Sequence, residues 1–369
     1  MPFTEVNGIF FTTIRPVFEL EYEASMRLLV MRWLSVSGLI SLLLASQAWA
    51  HINIEQITGN TMGTTYTIQL RLPGSLVTKQ QVKALVELEL ERVNRALSVY
   101  RADSEISEFN LNDTGKPIPV SERLWDVLQI SRNVSAQTYG ALDVTLGPVI
   151  EFWGFGAKPR ELQHKDRGQL ELARSKTGMD GFTLDSQAVT KVIRGLEINP
   201  SAVAKGYGVD RVAKVLDGAG VVNYLVEVGG EVRTRGVGVR GRDWKVAVTR
   251  PQKFSLEIQE LIKLKDMSMA TSGSYVNYIQ SDDRQLSHII DPTTGMPTVG
   301  SLVSATVLHR RCAVADGFAT AMMILSVERS IQLANELGLA AMLIEQTDMG
   351  LKTYFSDAIY PFLVKQDEF

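Results

Sequence analysis

Two side chains near the C-terminus, Asp316 and Thr320, have the types and the spacing of metal ligands. They lie four residues apart in a segment with helical periodicity, so both should project from one face, about one turn apart. A carboxylate and a hydroxyl are hard oxygen ligands, and magnesium is commonly held by one or two protein oxygens together with substrate phosphate. An aspartate near a helix start can equally be a cap or a partner of the helix dipole. The pair alone leaves both interpretations open.

The segment 199–208 is rich in small residues and contains Lys205. Free backbone amides, the positive end of a helix and a lysine together suit a phosphate group. Gly206 and Gly208 are not spaced as in a Walker loop or a dinucleotide-binding fingerprint. Close packing of a helix on a strand would explain the small residues equally well.

His288 precedes an Asp-Pro-Thr-Thr-Gly turn at 291–295 and has apolar residues nearby. A histidine in this setting is either a buried, hydrogen-bonded core residue or a general base. The sequence contains no nucleophile elbow, no H-E-x-x-H and no C-x-x-C. These absences argue against serine hydrolases and zinc enzymes.

Hydrophobic periodicity predicts the elements that must position these side chains. Helices are predicted at 79–98, 121–134, 205–216, 314–325 and 327–337. Strands are predicted at 65–72, 224–228, 244–248 and 302–308. Thr78 and Ser326 are the expected N-caps, and Gly218 is the expected glycine after the third helix. Residues 155–180 are polar, which predicts a surface segment with one short helix. The pattern as a whole predicts a single α+β unit.

Composition excludes several classes of protein. With 45% apolar and 21% charged residues, the chain has the balance of a globular protein rather than a disordered one. A net charge of −3 offers no basic surplus to neutralise nucleic-acid phosphates, so no nucleic-acid partner is expected. Cys312 is the only cysteine, so no intramolecular disulfide can form and stability must come from packing.

Residues 26–50 have the pattern of a secretory signal peptide. Arg27 and Arg32 supply a basic n-region, an apolar run follows, and Ala48-Trp49-Ala50 fits a cleavage site. The stretch 33–50 approaches the length needed to cross a bilayer, so an uncleaved inner-membrane anchor is the alternative.

Residues 1–25 are mixed and acidic and precede the basic n-region, which indicates an extension from a start codon placed too early. We therefore expect a mature periplasmic protein made of residues 51–369. No linker divides this part, so one domain is expected there.

The order and spacing of seven regions are more informative than any single motif. These regions are 61–64, 98–100 with 104–110, 140–148 with 153–156, 202–207, 228–231, 287–295 and 315–321. In this order they resemble the ApbE family, the FAD:protein FMN transferases. The resemblance extends over essentially all of the mature chain, and it implies a two-lobed, T-fold-like α+β domain with mixed or antiparallel sheets and packed helices.

The resemblance implies a magnesium site and a flavin site. Asp316 and Thr320 would hold the metal with the carbonyl of Ala202, and Ala319 would lie beside them. The residues implied to line the FAD site are Met62, Tyr100, Ala141, Leu142, Asp143, Asn199, Lys205 and Ile290. The metal would neutralise pyrophosphate oxygens, and the lysine would add a point charge. His288 is then the natural base.

The implied activity is cleavage of FAD at its pyrophosphate, transfer of FMN to a threonine or serine of another protein, and release of AMP. The implied acceptors are flavoprotein subunits of membrane redox complexes, such as the sodium-pumping NADH:quinone reductase. Any membrane association would then be peripheral, through the acceptor. The alternatives are a periplasmic FAD-binding protein and an FAD pyrophosphatase. Retention of Asp316, Thr320, Lys205 and His288 favours the transferase.

Asn199 departs from the family pattern, which usually has an aspartate at this position. Asparagine keeps a carbonyl acceptor and adds an NH2 donor, but it loses the negative charge. Hydrogen bonding to a ligand can therefore survive, whereas a role as an anion is lost.

Overall fold

The computed structural model describes residues 54–74, 77–157, 166–252, 257–274, 278–281 and 284–365. The predicted N-terminal extension (1–25), the signal peptide (26–50) and the predicted cleavage point therefore lie outside the described residues. Among the helices that are described, none is long and apolar enough to span a bilayer.

The described residues form eight α-helices whose ends follow from local sequence. They are α1 Lys79–Leu97, α2 Glu105–Leu111, α3 Glu122–Gln137, α4 Gly147–Trp153, α5 Arg167–Arg174, α6 Ser201–Gly218, α7 Cys312–Met322 and α8 Val327–Leu337. Both predicted N-caps are confirmed: the hydroxyl oxygen of Thr78 accepts the Gln81 N–H, and that of Ser326 accepts the Arg329 N–H. Helix α5 is the short helix expected within the polar segment.

The strands are β1 Glu55–Thr61, β2 Thr64–Leu70, β3 Ile118–Pro119, β4 Phe182–Asp185, β5 Ala188–Lys191, β6 Tyr224–Val228, β7 Glu231–Arg235, β8 Trp244–Thr249, β9 Ile258–Leu264, β10 Ser268–Gly273, β11 Tyr278–Ser281, β12 Arg284–Ser287, β13 Leu302–His309, β14 Ala340–Thr347 and β15 Gly350–Phe355. Eight of them form the main sheet, in the order β1-β2-β6-β7-β10-β13-β14-β15. Every neighbouring pair in this sheet is antiparallel. The smaller sheets are β3-β5-β4, β8-β9 and β11-β12. The α+β class is confirmed.

The two faces of the main sheet bury different partners. In β6, Tyr224, Val226 and Val228 pack with residues of α1 and α6, whereas Leu225 packs on the opposite face, because side chains alternate along a strand. That opposite face packs against the β8–β9 hairpin and the 3-10 segment Asp357–Phe362. Helices α3, α6 and α7 contribute to the buried cluster on the first face. The helices that carry the candidate ligands therefore share one side of the sheet.

Helix α6 differs from its prediction at both ends. It begins at Ser201, four residues before the predicted start, because Pro200 precedes it without a side-chain cap that would have marked the boundary. The expectation for Gly218 was wrong, because this residue is still helical and the C-cap is Ala219. The chain leaves the helix through Gly220 at φ 76°, and the Val221 N–H donates to the Leu216 carbonyl in a Schellman arrangement.

Candidate active site

The candidate site is built where α6 and α7 touch backbone to backbone. A Cβ on Gly206 would lie 2.5 Å from the carbonyl oxygen of Cys312, closer than real atoms approach. Only glycine lets the two helices come this near. The small residues at 199–208 are thus explained in part by close packing, but against helix α7 and not against a strand as the sequence had suggested.

The same contact brings Asp316 onto α6. The Gly206 N–H donates a 2.9 Å hydrogen bond to Oδ2 of Asp316. In a regular α-helix this N–H would donate a hydrogen bond to the carbonyl of Ala202, four residues earlier. The carboxylate competes for that donor, and this places Asp316 beside the first turn of α6, where the predicted carbonyl ligand Ala202 lies.

Asp210 fixes the start of the helix that carries Asp316. Helix α7 has no side-chain cap from its own N-cap residue, Arg311. Oδ1 and Oδ2 of Asp210, on α6, instead accept the N–H groups of Cys312 and Ala313 at 3.0 and 3.1 Å. The two helices are therefore joined by hydrogen bonds at two points, as well as by close packing.

Lys205 forms a short ion pair with a buried carboxylate. Its Nζ lies 2.6 Å from Oε1 of Glu231, a residue only 1% exposed at the start of β7. Burial alone would lower the pKa of Lys205, but the charge of Glu231 and then that of Asp316 outweigh it and raise the pKa. Lys205 therefore remains a cation at the site.

Asp316 is only 3% exposed, and this burial makes the ionised form of its carboxyl group unfavourable. Its burial, followed by repulsion from Glu231, raises the pKa of Asp316 from 3.8 to about 8. Oε2 of Glu231 is buried and has no hydrogen-bond partner within the described part of the chain. A buried hydrogen-bond acceptor without a donor lowers the stability of a folded protein by about 1–3 kcal/mol. When ionised, these two buried carboxylates outnumber the Lys205 ammonium group, and this surplus of negative charge is what burial and mutual repulsion oppose.

The oxygen donors around this surplus fit a hard divalent cation. Thr320 lies one turn beyond Asp316 on α7, and its Oγ1 is 3.2 Å from Oγ of Ser272 on β10. Ala319 is fully buried and can offer only its carbonyl, which accepts the Met323 N–H at 3.3 Å. Within the described ranges no cluster of three or more His, Cys, Asp or Glu side chains could hold a metal. A cation here would therefore depend on main-chain, hydroxyl and ligand oxygens beside Asp316, as magnesium often does.

Met62 is at the turn between β1 and β2, in the left-handed conformation with φ 51°. Its side chain reaches α6, because a Cβ on Gly208 would lie 3.2 Å from the Met62 Sδ. Residues 60–65 line an open pocket at this turn. The structure thus brings Met62 to the same helix as Lys205.

The predicted flavin-binding segment 141–143 is adjacent to helix α7. Leu142 packs on α7, since its Cδ2 lies 3.2 Å from where a Cβ on Gly317 would be. Ala141 and Leu142 are buried. Burial raises the pKa of Asp143, although the carboxylate accepts the N–H and hydroxyl of Thr145 at 2.7 and 2.6 Å.

Asn199 connects this segment to the start of α6. Its N–H donates to the carbonyl of Val144 at 2.7 Å. Its Oδ1 accepts both the N–H and the hydroxyl of Ser201, at 3.1 and 2.6 Å. The side-chain carbonyl is therefore engaged by the turn itself, and the NH2 group is what distinguishes this residue from an aspartate.

His288 and Ile290 lie against an aromatic cluster at α4. The rings of Phe155 and His288 meet edge to face with centroids 6.5 Å apart, and Ile290 packs with Leu146 and Trp153. Trp153 Nε1 also donates to the carbonyl of Gly295, which fixes the turn after His288. Both descriptions of His288, a packed residue and a base, remain compatible with this setting.

Ile290 is connected to the start of α6 through Leu146, whereas Tyr100 lies at the surface. Leu146, which packs with Ile290, pairs with Glu197 just before α6. Tyr100 follows α1 and is 66% exposed, so a ligand could reach its ring from solvent. Its predicted flavin contact stays a prediction.

The contributions of Glu231, Gly206 and Ser272 to the site were not predicted from the sequence. Glu231 was visible only as a carboxylate after a Gly-Gly turn, and its partner is 26 positions earlier in the chain. One sequence signal could have identified Glu231: a charged residue at the start of a strand that directly follows a buried strand.

The sequence model of the ApbE family matches residues 62–343. The chain belongs to the ApbE family. The FAD:protein FMN transferase of Vibrio cholerae is 38% identical over 328 residues, which cover 89% of this chain and 98% of that protein. The FAD:protein FMN transferase of Haemophilus influenzae is 35% identical over 333 residues, which cover 88% and 96%.

Solved ApbE structures have the same fold. The flavin transferase ApbE from Vibrio cholerae superposes with a TM-score of 0.79 at 38% identity, over 84% of this chain and 99% of that one. The apo form of the Pseudomonas stutzeri flavinyl transferase ApbE gives a TM-score of 0.77 at 32% identity, over 84% and 96%. This ApbE chain thus covers nearly the full length of its relatives.

Proposed function

We infer that this ApbE protein is an FAD:protein FMN transferase that requires a divalent cation. The observation that carries this inference is the α6–α7 junction, where the buried carboxyl groups of Asp316 and Glu231 both interact with the ammonium group of Lys205. Such a site favours a metal and, with it, the pyrophosphate of a dinucleotide. The names of relatives more than 30% identical over most of the chain support the same reaction.

The cation we propose is Mg²⁺, with Asp316, Thr320 and the carbonyls of Ala202 and Ala319 as the residues that would hold it. When bound, it would supply neutralisation of the FAD pyrophosphate oxygens. Ser272 would orient the hydroxyl of Thr320 through their 3.2 Å contact.

The flavin nucleotide would lie along the first turn of α6. Lys205 presents its ammonium group to the pyrophosphate as a fixed point charge, which stabilises charge that develops in phosphoryl transfer. The predicted lining residues, Met62, Tyr100, Ala141, Leu142, Asp143, Asn199 and Ile290, would surround the rest of FAD. Asn199 would offer its NH2 as a donor, since its carbonyl is engaged by Ser201.

His288 is the proposed general base. The hydroxyl oxygen of an acceptor threonine or serine attacks the FMN phosphorus, and its proton passes to His288. A phosphoester bond forms to the acceptor, the bond between the two phosphates breaks, and AMP departs. The edge of the Phe155 ring and the turn fixed by Trp153 would keep the imidazole in place.

Export to the periplasm is also proposed, because residues 26–50 have the pattern of a signal peptide. The proposed acceptors are periplasmic flavoprotein subunits of membrane redox complexes, for example of the sodium-pumping NADH:quinone reductase type. N-terminal sequencing of protein recovered from the periplasm should start at or near His51. Uncleaved chain in the inner membrane would instead identify an anchor.

The reaction is tested by measuring both products of FAD cleavage, AMP and FMN. Purified protein is mixed with FAD and magnesium, with and without a candidate acceptor flavoprotein, and AMP, free FMN and protein-bound FMN are quantified. The proposal expects AMP to match protein-bound FMN and to require both acceptor and magnesium. AMP matched by free FMN would identify a pyrophosphatase, and bound but intact FAD would identify a binding protein.

A further inference from the structure

Strand β7 and helix α6 are joined by three ion pairs, which we call the ion-pair ladder. Alternate residues of β7 face the helix: Glu231, Arg233 and Arg235. They pair with Lys205, Asp210 and Asp217 of α6, and each pair has an N–O distance of 2.6 Å. The spacing follows from the strand period of two, which places every second side chain on the helix side.

The first pair of the ladder is reversed and is the most deeply buried. In the other two pairs the strand supplies an arginine and the helix an aspartate, whereas here the strand supplies Glu231 and the helix supplies Lys205. The Glu231 side chain is 1% exposed, compared with 42% and 38% for Arg235 and Asp217 at the other end. An arginine on β7 and an aspartate on α6 would join the strand to the helix equally well at this end. The reversed pair nearest the candidate site therefore calls for an explanation beyond structural support.

Glu231 also has an unused oxygen. Oε1 contacts Lys205, whereas Oε2 is buried with no hydrogen-bond partner among the side chains that the structure describes. Lys205 is attracted electrostatically by both Glu231 and Asp316. The carboxylates of Glu231 and Asp316 also repel each other. Burial raises the pKa of Glu231, whereas the Lys205 ammonium group opposes that rise and favours the carboxylate. Glu231 is therefore coupled to the Asp316 site through Lys205.

We propose that Glu231 is a positioning residue for the transfer reaction: it holds the Lys205 ammonium group at the first turn of α6 and makes the Asp316 site negative enough to take up a divalent cation before FAD arrives. The proposal rests on the proposed function, since it assigns Lys205 to the pyrophosphate and Asp316 to the metal. It predicts that loss of the charge alone weakens magnesium binding but spares metal-free FAD binding, because a neutral carbonyl can still place Lys205 and the lost charge repels a pyrophosphate.

Glu231→Gln tests this prediction, because it keeps the shape and a carbonyl acceptor for Lys205 but removes the charge. Magnesium binding is measured on FAD-free protein by calorimetry, and FAD binding is measured in EDTA by flavin fluorescence. We expect magnesium affinity to fall at least about tenfold, while metal-free FAD binding stays equal or becomes tighter. Glu231→Asp, which restores the charge, should recover most of the magnesium affinity.

Arg235→Gln is the matched control, since it breaks the pair at the exposed end of the same ladder and should change neither affinity. The proposal is overturned if Glu231→Gln binds magnesium as the unmodified protein does, or if both affinities fall together with the melting temperature, as a purely structural role requires. Absence of magnesium binding to the unmodified, FAD-free protein would also overturn it. Neither binding measurement needs turnover, so a protein that binds both ligands but transfers no FMN would contradict the proposed function alone.

Discussion

The Gly206 N–H donates a hydrogen bond to Oδ2 of Asp316, and this 2.9 Å contact joins the helix of the lysine to the helix of the predicted metal ligands. It exists because Gly206 has no side chain and α7 can therefore approach the α6 backbone. Asp316 is thus held by a backbone donor on one oxygen, which leaves the other oxygen for a cation.

Asp316→Asn should abolish transfer while preserving the fold. The amide keeps an oxygen for the Gly206 N–H but removes the charge that a cation needs, so activity with saturating FAD should fall at least about a hundredfold. The melting temperature without magnesium should not fall, because burial already disfavours the ionised carboxylate at this position and the neutral amide avoids that cost. Asp217→Asn, at the exposed end of the ion-pair ladder, is the control. Retention of full activity in Asp316→Asn would place the metal elsewhere.

Stability without metal should decrease as pH rises from about 4 to about 8. The pKa of Asp316 is raised to about 8 in the folded protein, so the folded state holds a proton that the unfolded chain has already released. Magnesium binds the carboxylate form, so its stabilising effect should be larger at about pH 8 than at about pH 6. Thermal unfolding with magnesium and with EDTA, across this range, measures both effects.

Glu227 provides a control for the pH experiment. Burial also raises the pKa of Glu227, to about 7, and its Oε1 accepts the Gly230 N–H. Glu227→Gln should therefore reduce the pH dependence measured in EDTA but keep the magnesium increment at about pH 8. If the magnesium increment shows no pH dependence in either protein, Asp316 is not the titrating ligand.

His288→Ala should lose at least about a hundredfold in transfer rate at neutral pH while it still binds FAD, because general-base catalysis typically contributes about 10² to 10⁴. Higher pH should partly restore the variant, since hydroxide can replace a missing base more readily than a missing metal ligand. Rate and FAD affinity are measured separately across pH. A near-normal rate would make His288 a packing partner of Phe155 and would move the role of base to Asp291.

Asn199→Asp should keep FAD binding and change turnover by no more than about tenfold, or about 1.4 kcal/mol in barrier. The oxygen that both residues share accepts the N–H and hydroxyl of Ser201, so the turn before α6 should survive. Fluorescence titration and single-turnover transfer measure the two effects. Complete loss of FAD binding would mean that the pocket depends on the amide NH2.

The elements most easily predicted from sequence were those with strong local signals. Helix α1, with its Thr78 cap, and helix α8, between Ser326 and Gly338, were predicted almost to the residue. The start of α6 was not, because Pro200 provides no side-chain cap. Strand β7 was missed because its helix-facing side chains are charged, and the buried one, Glu231, is paired with Lys205 of α6.

The candidate site was predictable to the extent that its residues lie close in sequence. Asp316 and Thr320 are one helical turn apart, so their spacing predicted a shared face. The pairing of Lys205 with Glu231 and the bond from Gly206 to Asp316 join segments 26 and 110 residues apart. No local pattern encodes such contacts, because they arise only when the sheet places α6 and α7 side by side.

Covalent flavin transfer is detected by the mass of an acceptor protein after incubation with this protein, FAD and magnesium, with fragmentation to locate the modified residue. We expect a gain equal to FMN less one water, on a threonine or serine. The gain should disappear in EDTA, with Asp316→Asn, and when that acceptor residue is replaced by alanine. An acceptor of unchanged mass, while FAD is cleaved to free FMN and AMP in the same reaction, would contradict this expectation.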